Sequence, residues 1–273
     1  MSTSEETGEN THEGMSRRDM LKTIGGGALA AAALAIPGVA AAAERPARSK
    51  IVFRQRGADA QNDINILNFA LQLEYLESEF YNYSVVGQGL ISSQTTGTGN
   101  AGPTTGGAKV DFSNNPGLLS VAEEIRVDEN LHVEFLRTAL GSNAVAKPAI
   151  NLAALNGALD QSLNSSERFL VLSRYFEDVG VTAYLGAAGL IKNPAFLIAA
   201  AKILATEAYH AGNIRLQVAL DGLPNAALDS KDQPSREGNV FPSDALALSI
   251  DRTVAEVKAL VGPFFPNGLN GNL

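Results

Sequence analysis

Apolar side chains recur every three to four positions in four long runs between residues 63 and 222, the period of helices that each bury one face. The first run is predicted to start near Asp63, a good N-cap residue, and to reach Tyr83 with Leu67, Leu71, Glu74, Ser78 and Tyr81 in line. The second opens on Asn115-Pro116 and stops at Gly141, with Leu118, Ala122, Ile125, Glu129, His132, Leu136 and Leu140 on its inner side. The third begins at Asn164–Ser166, where Asn164 and Glu167 fit a capping box, and runs to about Ile191 through Leu170, Ser173, Glu177, Gly180, Tyr184 and Ala188. The fourth repeats the Asn-Pro start at Asn193-Pro194 and ends at Asp221-Gly222, with Ala200, Ile203, Glu207, His210, Ile214 and Gln217 inward. A short helix over 249–261 precedes a Pro/Gly-rich tail, 263–273.

The connections predict an all-α four-helix bundle. Two or three residues join the third and fourth helices, which makes them antiparallel neighbours. The second-to-third link, roughly 141–163, is too long for a turn and reads as a crossover between two helical hairpins. The 84–114 link between the first two helices is rich in Gly, Ser and Thr and longer than a bundle needs. It is compatible with a β-excursion, a lid over one end of the bundle or a mobile loop.

Residues 1–43 have another character. Ser16-Arg17-Arg18-Asp19-Met20-Leu21-Lys22 resembles a twin-arginine export signal, and an Ala/Gly-rich apolar stretch follows from Ile24 to the small-x-small site Ala41-Ala42-Ala43. The expectation is a cleaved leader with a polar extension, a linker over 44–62, a bundle over 63–262, and a periplasmic or extracellular destination. Glycines 25–27 and Pro37 make the same stretch a poor membrane anchor. Export through the twin-arginine machinery, which typically carries folded substrates, would let metal load in the cytoplasm.

Removing residues 1–43 takes 3 of 21 basic and 5 of 29 acidic residues, leaving 18 against 24. That mildly acidic balance, without a basic patch, argues against nucleic acid as a partner. The absence of cysteine excludes a disulfide framework, a thiolate metal site and a cysteine nucleophile. About 230 residues remain, enough for one domain with a real core; an oligomer is compatible with the sequence but nothing in it calls for one.

The chemistry is concentrated on the inner stripes. The two histidines beyond the leader each close a Glu-x-x-His: Glu129 with His132, and Glu207 with His210. Residues three apart share a helix face, so each motif aims a carboxylate and an imidazole at one point. The other two helices contribute Glu74 and Glu177, each followed seven residues later by a tyrosine, Tyr81 and Tyr184. Each hairpin thus repeats Glu-x6-Tyr and then Glu-x-x-His. This is the donor count that two bridged metal ions need: one His per ion, two bridging and two terminal carboxylates. Four carboxylates facing a core cost several kcal/mol each unless neutralised, and the stripes carry no Lys or Arg. Hard carboxylates with imidazole suit two Fe or two Mn ions per chain. Glu77, one turn from Glu74, is a candidate extra ligand or base; Glu79 is expected to face solvent. Tyr81 and Tyr184 read as core tyrosines hydrogen-bonded to ligands. Arg126, Arg137, Arg174 and Arg215 are expected on outer faces, as solvated charges or helix–helix pairs.

These motifs resemble the ferritin-like superfamily, in particular the exported group typified by desiccation-related proteins. The likeness rests on Asn68–Glu77, Asp128-Glu129-Asn130-Leu131-His132-Val133 and Thr206-Glu207-Ala208-Tyr209-His210, and spans roughly 60–262. It implies a ferritin-like four-helix bundle with Glu74, Glu129, His132, Glu177, Glu207 and His210 as ligands. Asp128 resembles the aspartate of Asp-Glu-x-x-His di-iron enzymes that orients a ligand histidine. Those enzymes often place arginine before the histidine, where this chain has Leu131 and Tyr209. The expected activity is Fe(II) oxidation or reduction of O2 or peroxide in stress protection. A manganese catalase-like peroxide dismutase and a non-enzymatic desiccation protein with a structural metal are the alternatives.

Overall fold

In a computed structural model, which describes residues 58–271, four long helices form two antiparallel hairpins. They are α1 (Ala58–Val86), α3 (Pro116–Leu140), α4 (Ser165–Ala188) and α5 (Pro194–Leu220). The short elements are α2 (Ser92–Thr95), β1 (Thr104–Thr105), β2 (Ile150–Asn151) and α6 (Val254–Val261). Helix α1 packs along α3, α4 along α5, and α1 also meets α4. The leader and most of the 44–62 linker lie outside the described residues; 58–62 are already helical. No helix among the described residues is long and apolar enough to cross a membrane.

Side-chain caps fix where three of the helices begin. Asn115 Oδ1 accepts from Leu118 N at 3.1 Å, and Asn193 Oδ1 from Ala195 N at 2.9 Å, with proline in the first turn of both helices. Asn164 and Glu167 exchange bonds in a capping box. Asp63, read from sequence as a cap, lies inside α1. Its carboxylate instead accepts from Lys192 N and Asn193 N, both at 2.8 Å, and so ties α1 to the α4–α5 turn. The third helix ends at Ala188 rather than Ile191, and α6 starts at Val254 rather than Ser249.

The 84–114 segment is an ordered cover over α1. It runs beside the crossover, where Thr98 N donates to Ala144 O (2.9 Å), Gly102 N donates to Lys147 O (3.0 Å), and β1 pairs in parallel with β2. Glycine is needed where the two backbones meet. A Cβ on Gly97 would lie 2.4 Å from Ala144 O, and one on Gly102 would lie 2.5 Å from Ala149 N. With crossover and insertion on its outer side, every residue of α1 from Leu71 to Asn82 is buried.

That enclosure corrects the placement of Glu79. It is 2% exposed, accepts from Leu90 N at 3.1 Å and lies 4.0 Å from Lys147 Nζ. The Lys147 ammonium also donates to Gly102 O (2.9 Å) and Thr104 Oγ1 (2.8 Å), so the pair pins both loops to α1.

Arg174 and Arg215 are likewise buried, because the chain after α5 folds back over α4 and α5. Arg174 and Arg215 both reach Asp178 Oδ2, at 2.8 and 2.7 Å, and Arg174 also binds Asp232 of the returning strap. Arg252 of the strap donates to Thr182 Oγ1 (2.9 Å), and its carbonyl crosses α4 where Gly186 leaves room. Arg126 and Arg137 act between elements: Arg126 donates to Asn82 Oδ1 at 3.3 Å, and Arg137 donates to Tyr75 Oη at 2.5 Å and Thr96 O at 2.6 Å.

Candidate metal centre

Glu74, Glu129, Glu177 and Glu207, one from each long helix, converge at the bundle axis with no exposed surface. His132 is slightly exposed and His210 is buried; both turn Nδ1 inward. His132 Nδ1 lies 3.2 Å from Glu74 Oε2, 3.3 Å from Glu129 Oε2 and 3.2 Å from Glu207 Oε1. His210 Nδ1 lies 3.0 Å from Glu129 Oε1 and 3.4 Å from Glu177 Oε2.

The donors form two overlapping groups. One holds Glu74, Glu129, His132 and Glu207; the other Glu129, Glu177, Glu207 and His210; within each, one donor atom per residue lies within 4.8 Å of the others. Glu129 and Glu207 belong to both groups, while Glu74 and Glu177 each belong to one.

Electrostatics show what the cluster lacks. Burial and the Glu129 charge push Glu74 up to about 7, against the His132 imidazole. Burial also raises Glu177, and raises Glu77 and Glu207 well above the carboxylate range with help from the neighbouring carboxylates. Glu129 goes the other way: burial opposes its charge, but the two imidazoles outweigh it and hold the carboxyl low. Both histidines are pushed far up, the surrounding carboxylates overriding burial. Among the described residues no Lys or Arg pairs with any of the four cluster glutamates.

Glu74 Oε2, Glu129 Oε1, Glu177 Oε2, both Glu207 oxygens and His210 Nδ1 are buried without a hydrogen-bond partner. Leaving so many polar atoms unsatisfied is costly, and one imidazole N–H cannot serve three oxygens at once. Donors sharing a cation with bonds of about 2.1 Å stand about 3 Å apart, and the imidazole–carboxylate distances here are 3.0–3.4 Å. The buried Glu/His set therefore fits divalent metal, whose charge would offset that of the glutamates.

A model of the ferritin-like domain matches residues 62–220, a stretch that takes in α3, α4, α5, α1 from its fifth residue on, and every residue of the cluster. The chain belongs to the ferritin-like domain family. No curated protein matches it.

Within this ferritin-like bundle the two tyrosines cross between hairpins. Tyr81 of α1 donates to Glu177 Oε1 of α4, and Tyr184 of α4 donates to Glu74 Oε1 of α1. Burial and the adjacent carboxylates push both phenols well above their ordinary range, so they stay protonated donors. Asp128 reaches across the α3–α5 seam, with Oδ2 at 3.1 Å from His210 Nε2. Glu77 is buried beside the cluster but belongs to neither donor group. Sequence reasoning placed Gly180 on the inner stripe without giving it a task. A Cβ there would lie 2.8 Å from Glu207 Oε2 and 3.1 Å from Glu77 Oε1, so the missing side chain is the space these carboxylates occupy. A glycine on an inner stripe one turn from a ligand was the available signal. Leu131 and Tyr209, which precede the histidines, are exposed.

Proposed function

We propose that this chain is an exported ferritin-like protein holding a dinuclear iron or manganese centre that oxidises Fe(II) or reduces O2 or peroxide in stress protection. The observation that carries the reading is the pair of donor groups sharing Glu129 and Glu207 while each keeps its own glutamate and histidine. Two redox metals held by these residues would supply the paired one-electron changes that reduction of O2 or peroxide requires.

The chain's own residues prepare that chemistry. Tyr81 and Tyr184 hold Oε1 of Glu177 and Oε1 of Glu74, leaving Oε2 of each free to take metal. Glu77 is buried beside the cluster, and burial with the neighbouring carboxylates pushes its carboxyl well up, so that it holds a proton there in the metal-free chain. The apolar walls from Leu71, Ile125 and Ile203 keep bulk water from the carboxylates. Export rests on the twin-arginine pattern at 16–22 and the cleavage pattern at 41–43.

The test is elemental analysis of protein purified without chelator, beside Glu129→Ala and His210→Ala. About two Fe or Mn per chain, lost in both variants, is the expected result; equal metal content in all three would end this reading. Peroxide turnover without a reductant would mark catalase-like dismutation, and a need for Fe(II) or another reductant would mark oxidase or peroxidase chemistry. Bound metal with no turnover of either kind would leave a structural role in a non-enzymatic stress protein.

A further inference from the structure

One face of α1 carries amides where a core stripe would carry hydrophobic side chains. Asn65, Asn68 and Gln72 recur on it at helical spacing, with Phe69 among them. They wall a cavity of about 270 Å³ whose other side is the end of α6 and the C-terminal tail. Two of the amides are used by the fold. Asn68 donates to Asn143 O (2.9 Å) and accepts from Val145 N (3.0 Å). Gln72 donates to Asn270 O (3.0 Å) and accepts from Asn270 N (2.5 Å), so it holds both backbone groups of one tail residue. Gly268 and Gly271, at φ +75° and +87°, let the tail bend into this wall.

The side-chain groups left over are donors. Asn65 Oδ1 is taken by Gln61 Nε2 at 2.9 Å, and among the described residues its Nδ2 has no acceptor. Lys147 pairs with Glu79 and Lys231 with Glu256, but Lys258, which lines the cavity from the last turn of α6, has no carboxylate partner among the described residues. The backbone N–H groups of Leu269 and Gly271 are also without a described acceptor, whereas those of Gly268 and Asn270 are used. No Asp or Glu lines the cavity, in a chain with 29 acidic and 21 basic residues. Its apolar walls are Phe69, Phe265 and Leu269, and both phenylalanines are buried.

A cation and free N–H groups with no counter-charge, set against aromatic walls, match an anion that carries an apolar body. We propose that this cavity binds a small organic anion, a carboxylate or phosphate monoester on a single ring or short chain, with Lys258 as its counter-ion and Phe69 and Phe265 against the apolar part. The volume lies just under the range of about 300–1,000 Å³ usual for drug-sized ligands, which sets the size limit. None of the lining residues belongs to either donor group at the bundle axis, so the site is independent of the metal reading.

Calorimetric titration of the full chain with benzoate and phenyl phosphate, beside neutral benzamide and cationic benzylamine, tests the site. Both anions should saturate at one equivalent, and the other two probes should bind at least about 10-fold more weakly, because hydrogen bonds to a charged group are the stronger ones. Lys258→Met should weaken both anions about 10–100-fold and leave benzamide unchanged, and Lys258→Arg should recover most of the loss. Lys258 is partly exposed and pairs with no carboxylate, so the ligand-free variants should keep the wild-type melting temperature. Bound phenyl phosphate should slow amide hydrogen exchange in 262–271, which localises it to this cavity. Equal affinity for benzoate and benzamide, no effect of Lys258→Met, unchanged exchange in 262–271, or no saturation by either anion would overturn the proposal, and each would leave the metal centre untouched.

Discussion

Tyr184 on α4 donates its hydroxyl to Glu74 on α1, and the same bond is returned from Tyr81 on α1 to Glu177 on α4. Each hairpin therefore orients a cluster carboxylate of the other. A glutamate with two free torsions near its carboxyl would otherwise lose rotamer entropy on binding an ion; the phenol removes part of that cost in advance. The crossing also joins the two halves at their least soluble point, the buried charge.

Replacing Tyr184 by Phe deletes the donor and leaves Glu74 Oε1 buried without a partner. A hydrogen bond to a charged group contributes about 1.5–3 kcal/mol, so the apo protein should lose stability on that scale. Two equivalents of metal should still bind, because Glu74 itself remains. Chemical denaturation of the apo form and metal analysis of the loaded form check both halves; unchanged apo stability would contradict the structural role of this bond.

Gly180→Ala is the smallest change that should disturb the centre without touching a donor. Its methyl would meet Glu207 Oε2 at 2.8 Å and Glu77 Oε1 at 3.1 Å, so a cluster carboxylate has to move. We expect weaker metal binding with a nearly unchanged helical spectrum. Gly186→Ala is the contrast: its methyl would collide with Arg252 O, loosening the C-terminal strap, and should lower the melting temperature while leaving metal content alone.

Acidity should act oppositely on the apo and loaded forms. Glu74 titrates near 7 in the folded apo protein against 4.5 when free, so the folded state binds its proton more tightly. That contribution is fully present below about pH 4.5 and is lost as pH rises through 7; Glu177 and Glu207 are raised in the same sense. Apo protein should therefore melt at lower temperature at pH 7.5 than at pH 5, by an amount worth a few kcal/mol. Metal displaces those protons, so the stabilisation conferred by Fe(II) or Mn(II) should grow over the same interval. Melting curves of both forms across pH 4.5–7.5 decide the matter, and parallel curves would be inconsistent with it.

The clustering of these side chains was legible in the chain because a helix puts residues three apart on one face, Glu129 with His132 and Glu207 with His210, whatever the packing details. The Asn-Pro starts at 115 and 193 were legible for the same reason: a cap is a local device. What was not legible depends on neighbours far along the chain. Glu79, Arg174 and Arg215 look like solvent-side residues when each helix is read as having one wet face. Over Leu71–Asn82 helix α1 has none, because the 84–114 insertion and the crossover cover it, and the strap after α5 covers Arg174 and Arg215. The crossed tyrosine bonds were half visible: the Glu-x6-Tyr spacing repeats, but only the assembled bundle shows that each tyrosine serves the other helix's glutamate.

Glu79 separates a buried carboxylate that serves the cover from those that serve the centre. Its partner Lys147 is itself buried, and burial lowers the ammonium's pKa while the Glu79 charge pulls it back up. Removing Glu79 leaves a cation in low dielectric with only Gly102 O, Thr104 Oγ1 and Pro148 O to hold it, and frees Leu90 N. Breaking a buried pair from one side costs about 3–5 kcal/mol, so Glu79→Ala should be strongly destabilised. Glu79→Ala with Lys147→Met should recover much of that loss, since it removes the stranded charge and keeps the stem's volume. Metal content should remain at two per chain in both variants, because Glu79 belongs to neither donor group. Amide hydrogen exchange should show the loss as faster exchange in 87–110 and 144–151, the two loops that this pair pins to α1. A Glu79→Ala protein that lost its metal but kept slow exchange in those loops would place Glu79 with the centre instead.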